Sequence, residues 1–256
     1  MFAIRKYPNP WEGQMEPFKI LGNVYFVGTY QASSHLVDTG DGLILIDAGP
    51  SSTLHLVVDS IYKLGFKPTD IKYIINTHWH WDHTEGTAAL AFLSGAKTLI
   101  GKEDAEKAKR YFNPDILLSD GDTLSLDNTT IEFMETPGHT KGTVSFFFNI
   151  TDNGKTYRVG MFGGAGANTL VRGKFDFEGC REAYRNSLHR LMKEKVDIFI
   201  GNHTWNNNTY HKSITLRETG ENLFIDDKIW NEFLTFCEKR LDGIICDEEE
   251  SEAASK

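Results

Sequence analysis

His78-Trp79-His80-Trp81-Asp82-His83 is the stretch that decides the fold of this 256-residue chain, because it places three imidazoles and a carboxylate within six residues. It follows the apolar run Ile71-Lys72-Tyr73-Ile74-Ile75, which predicts a strand that ends just before the histidines begin. In an extended segment His78 and His80 point to the same side, whereas the adjacent Asp82 and His83 must diverge. The segment can therefore reach two metal ions.

The residue types indicate which metal such a site would take. Imidazole and carboxylate ligands suit Zn²⁺, so we expect two zinc ions per chain, although iron, manganese or cobalt could occupy the same ligands. A mononuclear site on a helix would instead have its histidines four residues apart, whereas His78 and His80 are two residues apart. Four such residues together favour a metal site over isolated surface or core side chains.

Two more distant histidines are candidates for completing the site. His139 lies in Thr136-Pro137-Gly138-His139-Thr140-Lys141-Gly142, where proline and glycine favour a turn between two strands. His203 follows an apolar strand predicted for residues 197–200, and His211 is the alternative to it. Asp47 ends another predicted strand, where it could orient a ligand imidazole or, equally well, cap a helix that begins near Ser51.

Strands and amphipathic helices alternate along both halves of the chain. In the first half the patterns predict strands at 24–27, 35–37, 43–46, 73–75 and 98–100 and helices at 51–64, 84–93 and 103–111. In the second half they predict strands at 123–126, 130–135, 144–150, 157–162 and 197–200 and a helix at 178–193. Two such halves packed sheet to sheet give an α/β fold, an αββα sandwich of two mixed β-sheets with helices on the outer faces.

The composition limits the domain organisation and the partners. We expect an N-terminal extension over residues 1–17, one domain over 18–246 and a disordered acidic tail over 247–256. The formal charge is −9, of which the last ten residues carry −4, so no basic surface for nucleic acid or an anionic membrane is expected. A small-molecule substrate and a monomer are the default expectations.

No apolar run approaches the roughly 18 residues of a membrane span, and residues 1–17 lack the apolar core of a secretory signal. As written, the chain is expected in the cytoplasm; it would be periplasmic or secreted if it were a processed form. Three cysteines give no disulfide framework, although Cys237 and Cys246 could pair in an oxidising compartment.

With these motifs the chain resembles the metallo-β-lactamase superfamily from about Pro17 to Leu241. The resemblance lies in residues 76–83, Asn-Thr-His-Trp-His-Trp-Asp-His, in residues 136–142 and in residues 42–49, Gly-Leu-Ile-Leu-Ile-Asp-Ala-Gly. It implies that one zinc is held by His78, His80 and His139, and the second by Asp82, His83 and His203.

Two absences narrow the resemblance to the third subclass of class B (zinc) β-lactamases. Most lactonases, glyoxalase-type thioesterases and flavo-diiron proteins have a bridging aspartate after the corresponding strand, and the first subclass has a cysteine there. This chain has neither residue in that segment, which reads Met161-Phe162-Gly163-Gly164-Ala165-Gly166. The serines that hold the substrate carboxylate in the third subclass are missing too. Backbone N–H groups, Asn168 or Thr169 are then expected to anchor the substrate, with Trp79 as a further contact.

The resemblance implies a dinuclear zinc hydrolase that opens the β-lactam ring of antibiotics through a metal-bridged hydroxide oriented by the catalytic Asp82. A hydrolase of the same fold that cleaves a lactone, ester or thioester would use the same ligands, so these residues do not separate the two. An oxygen- or NO-reducing di-iron module is disfavoured, because His80 stands where that family has a glutamate. A metal-stabilised scaffold protein without catalysis is the remaining alternative.

Overall fold

Two mixed β-sheets form the centre of the protein, in a computed structural model that describes residues 9–254. The strands are β1 (Phe18–Leu21), β2 (Val24–Phe26), β3 (His35–Asp38), β4 (Leu43–Ile46), β5 (Ile71–Ile75), β6 (Lys97–Gly101), β7 (Ile116–Leu118), β8 (Thr123–Leu126), β9 (Thr129–Glu135), β10 (Val144–Asp152), β11 (Lys155–Met161) and β12 (Ile198–Phe199). One sheet has seven strands in the order β1 to β7, and the other has five in the order β12-β11-β10-β9-β8. The first is antiparallel up to β4 and parallel from β4 to β7, and the second is antiparallel except where β12 joins β11.

Helices cover the outer faces of both sheets. They are α1 (Leu54–Lys63), α2 (Trp81–Thr84), α3 (Thr87–Ser94), α4 (Ala105–Ala108), α5 (Cys180–Leu191), α6 (Thr209–Thr219) and α7 (Ile229–Ala254). Between the sheets, side chains such as Ile46 and Phe146 share one buried cluster. Outside it, the first sheet packs on α1 and α3, and the second packs on α5 and α7. The predicted αββα sandwich is confirmed.

Two β-hairpins form at turns that contain Asp-Gly and Asn-Gly, the dipeptides typical of tight hairpin turns. Residues 39–42 connect the antiparallel strands β3 and β4. Asp152 and Lys155 pair across the β10–β11 turn, in which Asn153 and Gly154 have φ angles of 49° and 77°. Both central residues of that turn thus have positive φ, which asparagine and glycine tolerate and which matches the twist of the strands.

The end of the chain differs from the sequence-based expectation. Residues 247–254, predicted to be a disordered tail, continue the long helix α7, whereas residues 255–256 lie outside the described part. The reason is charge pairing: Glu248 accepts hydrogen bonds from the Arg181 side chain at 2.6 Å and from the Arg172 backbone N–H at 2.8 Å. The acidic cluster therefore has arginine partners in α5 and in the loop before it.

The start of the chain also differs in part. Of the predicted N-terminal extension, residues 1–8 lie outside the described residues. In the rest of it, Met15 is buried in the core between the sheets, and Gln14 forms a β-bridge with Thr29. This part of the extension is therefore packed against the domain.

Cys237 and Cys246 cannot form the disulfide that was considered for them. Both lie on α7 and are free thiols, the first buried and the second exposed. Nine residues of helix separate their Cα atoms by about 13 Å, about twice the span of a disulfide. Within residues 9–254, no helix combines the length and the apolar composition that crossing a membrane requires.

Trp230 attaches α7 to the second sheet. Its side chain is 1% exposed, its ring contacts Phe147 and Phe199, and its indole N–H donates to the backbone oxygen of Leu191 at 3.0 Å. We predict that Trp230→Ala lowers the free energy of unfolding by about 3–5 kcal/mol, because it leaves a cavity and removes the hydrogen bond from the indole to Leu191. Urea denaturation measures this, with Trp11→Ala as the control since Trp11 is 62% exposed. A loss under about 1 kcal/mol for Trp230→Ala would show that α7 is not firmly docked.

Candidate metal centre

The loops that carry the candidate ligands meet at one edge of the sandwich. His78 and His80 follow β5, and Asp82 and His83 lie in the short helix α2 that comes next. His139 lies in the turn between β9 and β10, and His203 follows β12. The predicted strand ends thus bring all six side chains together, although they are separated by up to 125 residues of chain.

The six side chains form two groups of three that could each hold a metal ion. They are His78, His80 and His139 in one group and Asp82, His83 and His203 in the other, and the potential ligand atoms of each group lie within 4.8 Å of one another. This is the division that the resemblance implies. His211, the alternative to His203, is exposed on α6 and belongs to neither group.

Nitrogen atoms face each other closely in both groups. In the first, His139 Nε2 lies 3.2 Å from His78 Nε2 and 2.9 Å from His80 Nδ1. In the second, His83 Nε2 lies 3.3 Å from His203 Nε2. Two ligands of a tetrahedral zinc at 2.0–2.1 Å lie about 3.4 Å apart, close to these separations.

The outer nitrogens of four rings fix which tautomer is present. The Nδ1 atoms of His78, His139 and His203 donate to the backbone oxygens of Gly163 (2.9 Å), Gly166 (2.8 Å) and Gln31 (2.7 Å). The Nδ1 atom of His83 donates to the Asp47 carboxylate at 2.8 Å. A neutral imidazole that donates through Nδ1 has a bare lone pair at Nε2, so the inner nitrogens repel one another unless a cation lies between them. The residues present therefore fit a bound metal.

Burial keeps the first group neutral. It lowers the pKa of His78 and of His139 well below the usual value, and it lowers the pKa of His80 to about 4, so all three are deprotonated at neutral pH. Metal binding requires this form of the ring. At His83, burial acts in the same direction, but the Asp82 and Asp47 carboxylates outweigh it and raise the pKa. The second group therefore attracts positive charge.

Asp47 orients His83, one of the two roles considered for it. Its side chain is fully buried and also accepts hydrogen bonds from the backbone N–H and the hydroxyl of Thr77, both at 2.8 Å. Its backbone has a φ of 54°, which aims the carboxylate back under the loop. Asp47 does not cap the helix that begins near Ser51, because the N–H and the hydroxyl of Ser51 both donate to Glu85.

Comparison with known proteins agrees with this geometry. The family model of the metallo-beta-lactamase superfamily matches residues 27–203. The chain belongs to this superfamily.

Solved structures and sequence relatives agree with this assignment. A subclass B3 metallo-beta-lactamase of Bradyrhizobium japonicum superposes with a TM-score of 0.87 at 28% identity, over 94% of this chain and 98% of that one. The native metallo-beta-lactamase of Legionella gormanii gives 0.87 at 28% identity, over 96% and 99% of the two chains. Among sequence relatives, the hydroxyacylglutathione hydrolase of Pelagibacter ubique is 31% identical over 170 residues, 66% of each chain.

A glycine-rich turn, residues 163–166, follows β11 and contains neither an aspartate nor a cysteine. A Cβ atom on Gly163 would lie 1.9 Å from the backbone oxygen of Val144, and one on Gly164 would lie 2.8 Å from the Cβ of His139. Real Cβ atoms do not approach so closely. The turn contributes backbone oxygens that hold His78 and His139, and its packing excludes side chains.

Asp104 joins the two metal-binding loops, and no pattern in the sequence indicates it. Its carboxylate accepts hydrogen bonds from the Trp79 N–H (3.0 Å), the Thr140 hydroxyl (2.6 Å) and the Gly142 N–H (2.8 Å). Burial raises the pKa of this carboxyl to about 6, although the three donors oppose the shift. Because these partners come from distant segments, only the tertiary structure brings them to Asp104.

The site opens into a cavity of about 460 Å³, a size suited to a small molecule. Asn168 lines it, as expected, and so do Trp81 and Trp205. Trp79 does not: its ring packs with a small apolar cluster around Ile100 on the far side of the loop. Thr169 donates its hydroxyl to the backbone oxygen of His139 at 2.7 Å, so that hydroxyl is already engaged.

Asp47→Asn should weaken metal binding in the second group by about 10- to 100-fold, because an amide cannot supply the carboxylate that orients His83. Asparagine tolerates the left-handed backbone, so the fold is expected to persist. Competition with a chelator measures the affinity, and the exposed left-handed Asp127 provides the control Asp127→Asn, which should change nothing. Unchanged affinity in Asp47→Asn would show that the contact is only structural.

Removing the sixth candidate ligand should remove one metal. We predict that His203→Ala retains about one metal per chain after dialysis, whereas His211→Ala retains about two, because three protein ligands are needed for a tight site. Elemental analysis distinguishes the variants. Loss of a metal from His211→Ala with none lost from His203→Ala would reverse the assignment.

Proposed function

We propose that the protein is a dinuclear zinc hydrolase that opens β-lactam rings. The observation that carries this proposal is the second group, Asp82, His83 and His203, with no bridging carboxylate or cysteine from the turn after β11. Similarity to class B β-lactamases over almost the full length of both chains supports it. Zinc is proposed because five imidazoles and one carboxylate suit it.

Zinc bound at these residues would supply an acidic water and polarise the substrate carbonyl. The chain's own residues hold and orient the reactants. Asp82 Oδ2 lies 3.6 Å from His83 Nε2 and 3.7 Å from His203 Nε2, and its side chain is 22% exposed to the cavity. Burial would raise the pKa of Asp82, but the neighbouring imidazoles lower it, so the carboxylate is ionised and can orient the nucleophile by accepting a hydrogen bond from it.

The walls of the cavity fit a partly apolar substrate. Trp81 is 48% exposed and Trp205 also lines the cavity, so two indole rings flank the candidate metals. Such surfaces exclude water from the reacting bond and strengthen the electrostatic interactions there. A bicyclic β-lactam is of the size and polarity that this cavity can hold.

A thioesterase is the second candidate function. The sequence similarity to a hydroxyacylglutathione hydrolase favours it, as does the absence of hydroxyl groups in residues 163–167. A lactone or an ester would be cleaved by the same residues. Steady-state hydrolysis of a chromogenic cephalosporin, a hydroxyacylglutathione thioester and an N-acyl homoserine lactone by the zinc-loaded protein compares these functions.

A kcat/KM for the cephalosporin above about 10⁴ M⁻¹s⁻¹, abolished by a chelator and restored by zinc, is the result we expect. A chelator-sensitive rate for the thioester or the lactone, with none for the cephalosporin, would replace the β-lactamase proposal by the second candidate.

Asp82→Asn should slow turnover by about two orders of magnitude, a transition-state cost of about 3 kcal/mol, because the neutral amide cannot orient the nucleophile as the carboxylate does. Folding should persist, since His78, His80 and His139 still hold the loop. Kinetics at saturating zinc separate this effect from weaker metal binding, and Asp120→Asn, at an exposed carboxylate outside the cavity, is the control. Near-normal turnover would show that Asp82 does not orient the nucleophile.

A further inference from the structure

Arg240 places a positive charge in the wall of the cavity. It lies on α7 and is the only lysine or arginine among the described residues that line this space. The same cavity is lined by Asp82, His83 and His203. A substrate bound at the candidate metals is therefore within the space that the guanidinium borders.

The guanidinium has no carboxylate partner among residues 9–254. The nearest acidic residues on the same helix, Glu238 and Asp242, both pair with Arg185, and Glu238 also pairs with His189. One helical turn away on either side, at residues 236, 237, 243 and 244, the sequence has Phe, Cys, Gly and Ile, so α7 offers no ion pair to Arg240.

An aromatic ring positions the side chain. The guanidinium carbon lies 5.8 Å from the centre of the Trp205 ring. The Trp205 ring in turn lies nearly parallel to the His203 imidazole, at 19° and 6.1 Å between centroids. Stacking uses the face of a guanidinium and leaves the N–H groups at its edge free to donate. Trp205 thus links Arg240 to one of the candidate metal ligands.

Arg240 is the one permanently charged cation among the described residues that line the cavity, whereas Asn168 offers only a neutral amide. Residues 163–167 are Gly-Gly-Ala-Gly-Ala and have no hydroxyl, and the Thr169 hydroxyl is bonded to His139. We propose that Arg240 binds a carboxylate of the substrate, and that the substrates of this hydrolase are small molecules that carry a carboxylate near the bond that is cleaved. The identity of that bond rests on the proposed function; the role of Arg240 does not.

The kinetic test compares a chromogenic cephalosporin with its carboxyl methyl ester. Arg240→Gln should raise KM for the acid at least about tenfold, because a charge-assisted hydrogen bond is lost, and should change kcat/KM for the ester less than about twofold. Arg240→Lys, which retains the charge, should recover part of the loss. Arg217→Gln removes an exposed arginine of α6, outside the cavity, and should behave like the parent protein.

A binding test needs no turnover and therefore separates this proposal from the β-lactamase proposal. Calorimetry on the zinc-loaded protein compares mercaptoacetate with the neutral mercaptoacetamide, since both have a thiol for the metal and only one has a carboxylate. The parent protein should prefer the acid at least about tenfold, and Arg240→Gln should abolish that preference.

Three results would overturn the proposal. The first is an equal loss of affinity for the acid and the neutral compound in Arg240→Gln, which would mean that Arg240 only supports Trp205. The second is no preference for the acid in the parent protein. The third is no binding of either thiol. A retained preference for mercaptoacetate together with no cephalosporin hydrolysis would support the role of Arg240 and reject the β-lactam ring as the substrate.

Discussion

Lone pairs of imidazole nitrogens that point at one another are the constraint on which the structure depends. The arrangement is unfavourable without a cation, and in four of the five rings an oxygen atom enforces it from behind by accepting the proton of the opposite nitrogen. Those oxygens belong to Gln31, to Asp47 and to Gly163 and Gly166 of the turn after β11, which are three separate segments. The two sheets must therefore meet at this edge for the rings to be held, and a bound metal stabilises the folded state over the unfolded one.

The layers of the fold follow from this requirement and from burial. Strand β4, Leu43–Ile46, is buried at every position and leads directly to Asp47. Strand β10, whose first five residues are all buried, starts just after the loop of His139. Rigid apolar strands thus end at the polar loops, and the positions of the loops are as well defined as the core between the sheets.

Much of the fold and of the candidate site could be predicted from local patterns. The sandwich and its hairpins follow from periodicity and turn residues, and the six clustered side chains follow from two short motifs and one strand end. Trp79 and Trp81 could not be told apart, because the chain changes from extended to helical at Trp81 and the alternation of faces stops there. Asp104 and the helical end of the chain depend on partners far away in sequence, which no local pattern encodes.

The packing around the turn after β11 limits how this protein can diverge from its relatives. Any single substitution that adds a side chain at Gly163 or Gly164 collides with the strand or with the histidine beside it. A carboxylate at Gly164 would therefore require the loop that carries His139 to shift. Side chains that contact the substrate must therefore come from the other walls of the cavity, which Trp81, Trp205 and Arg240 line, and changes there are the ones expected to alter the range of substrates.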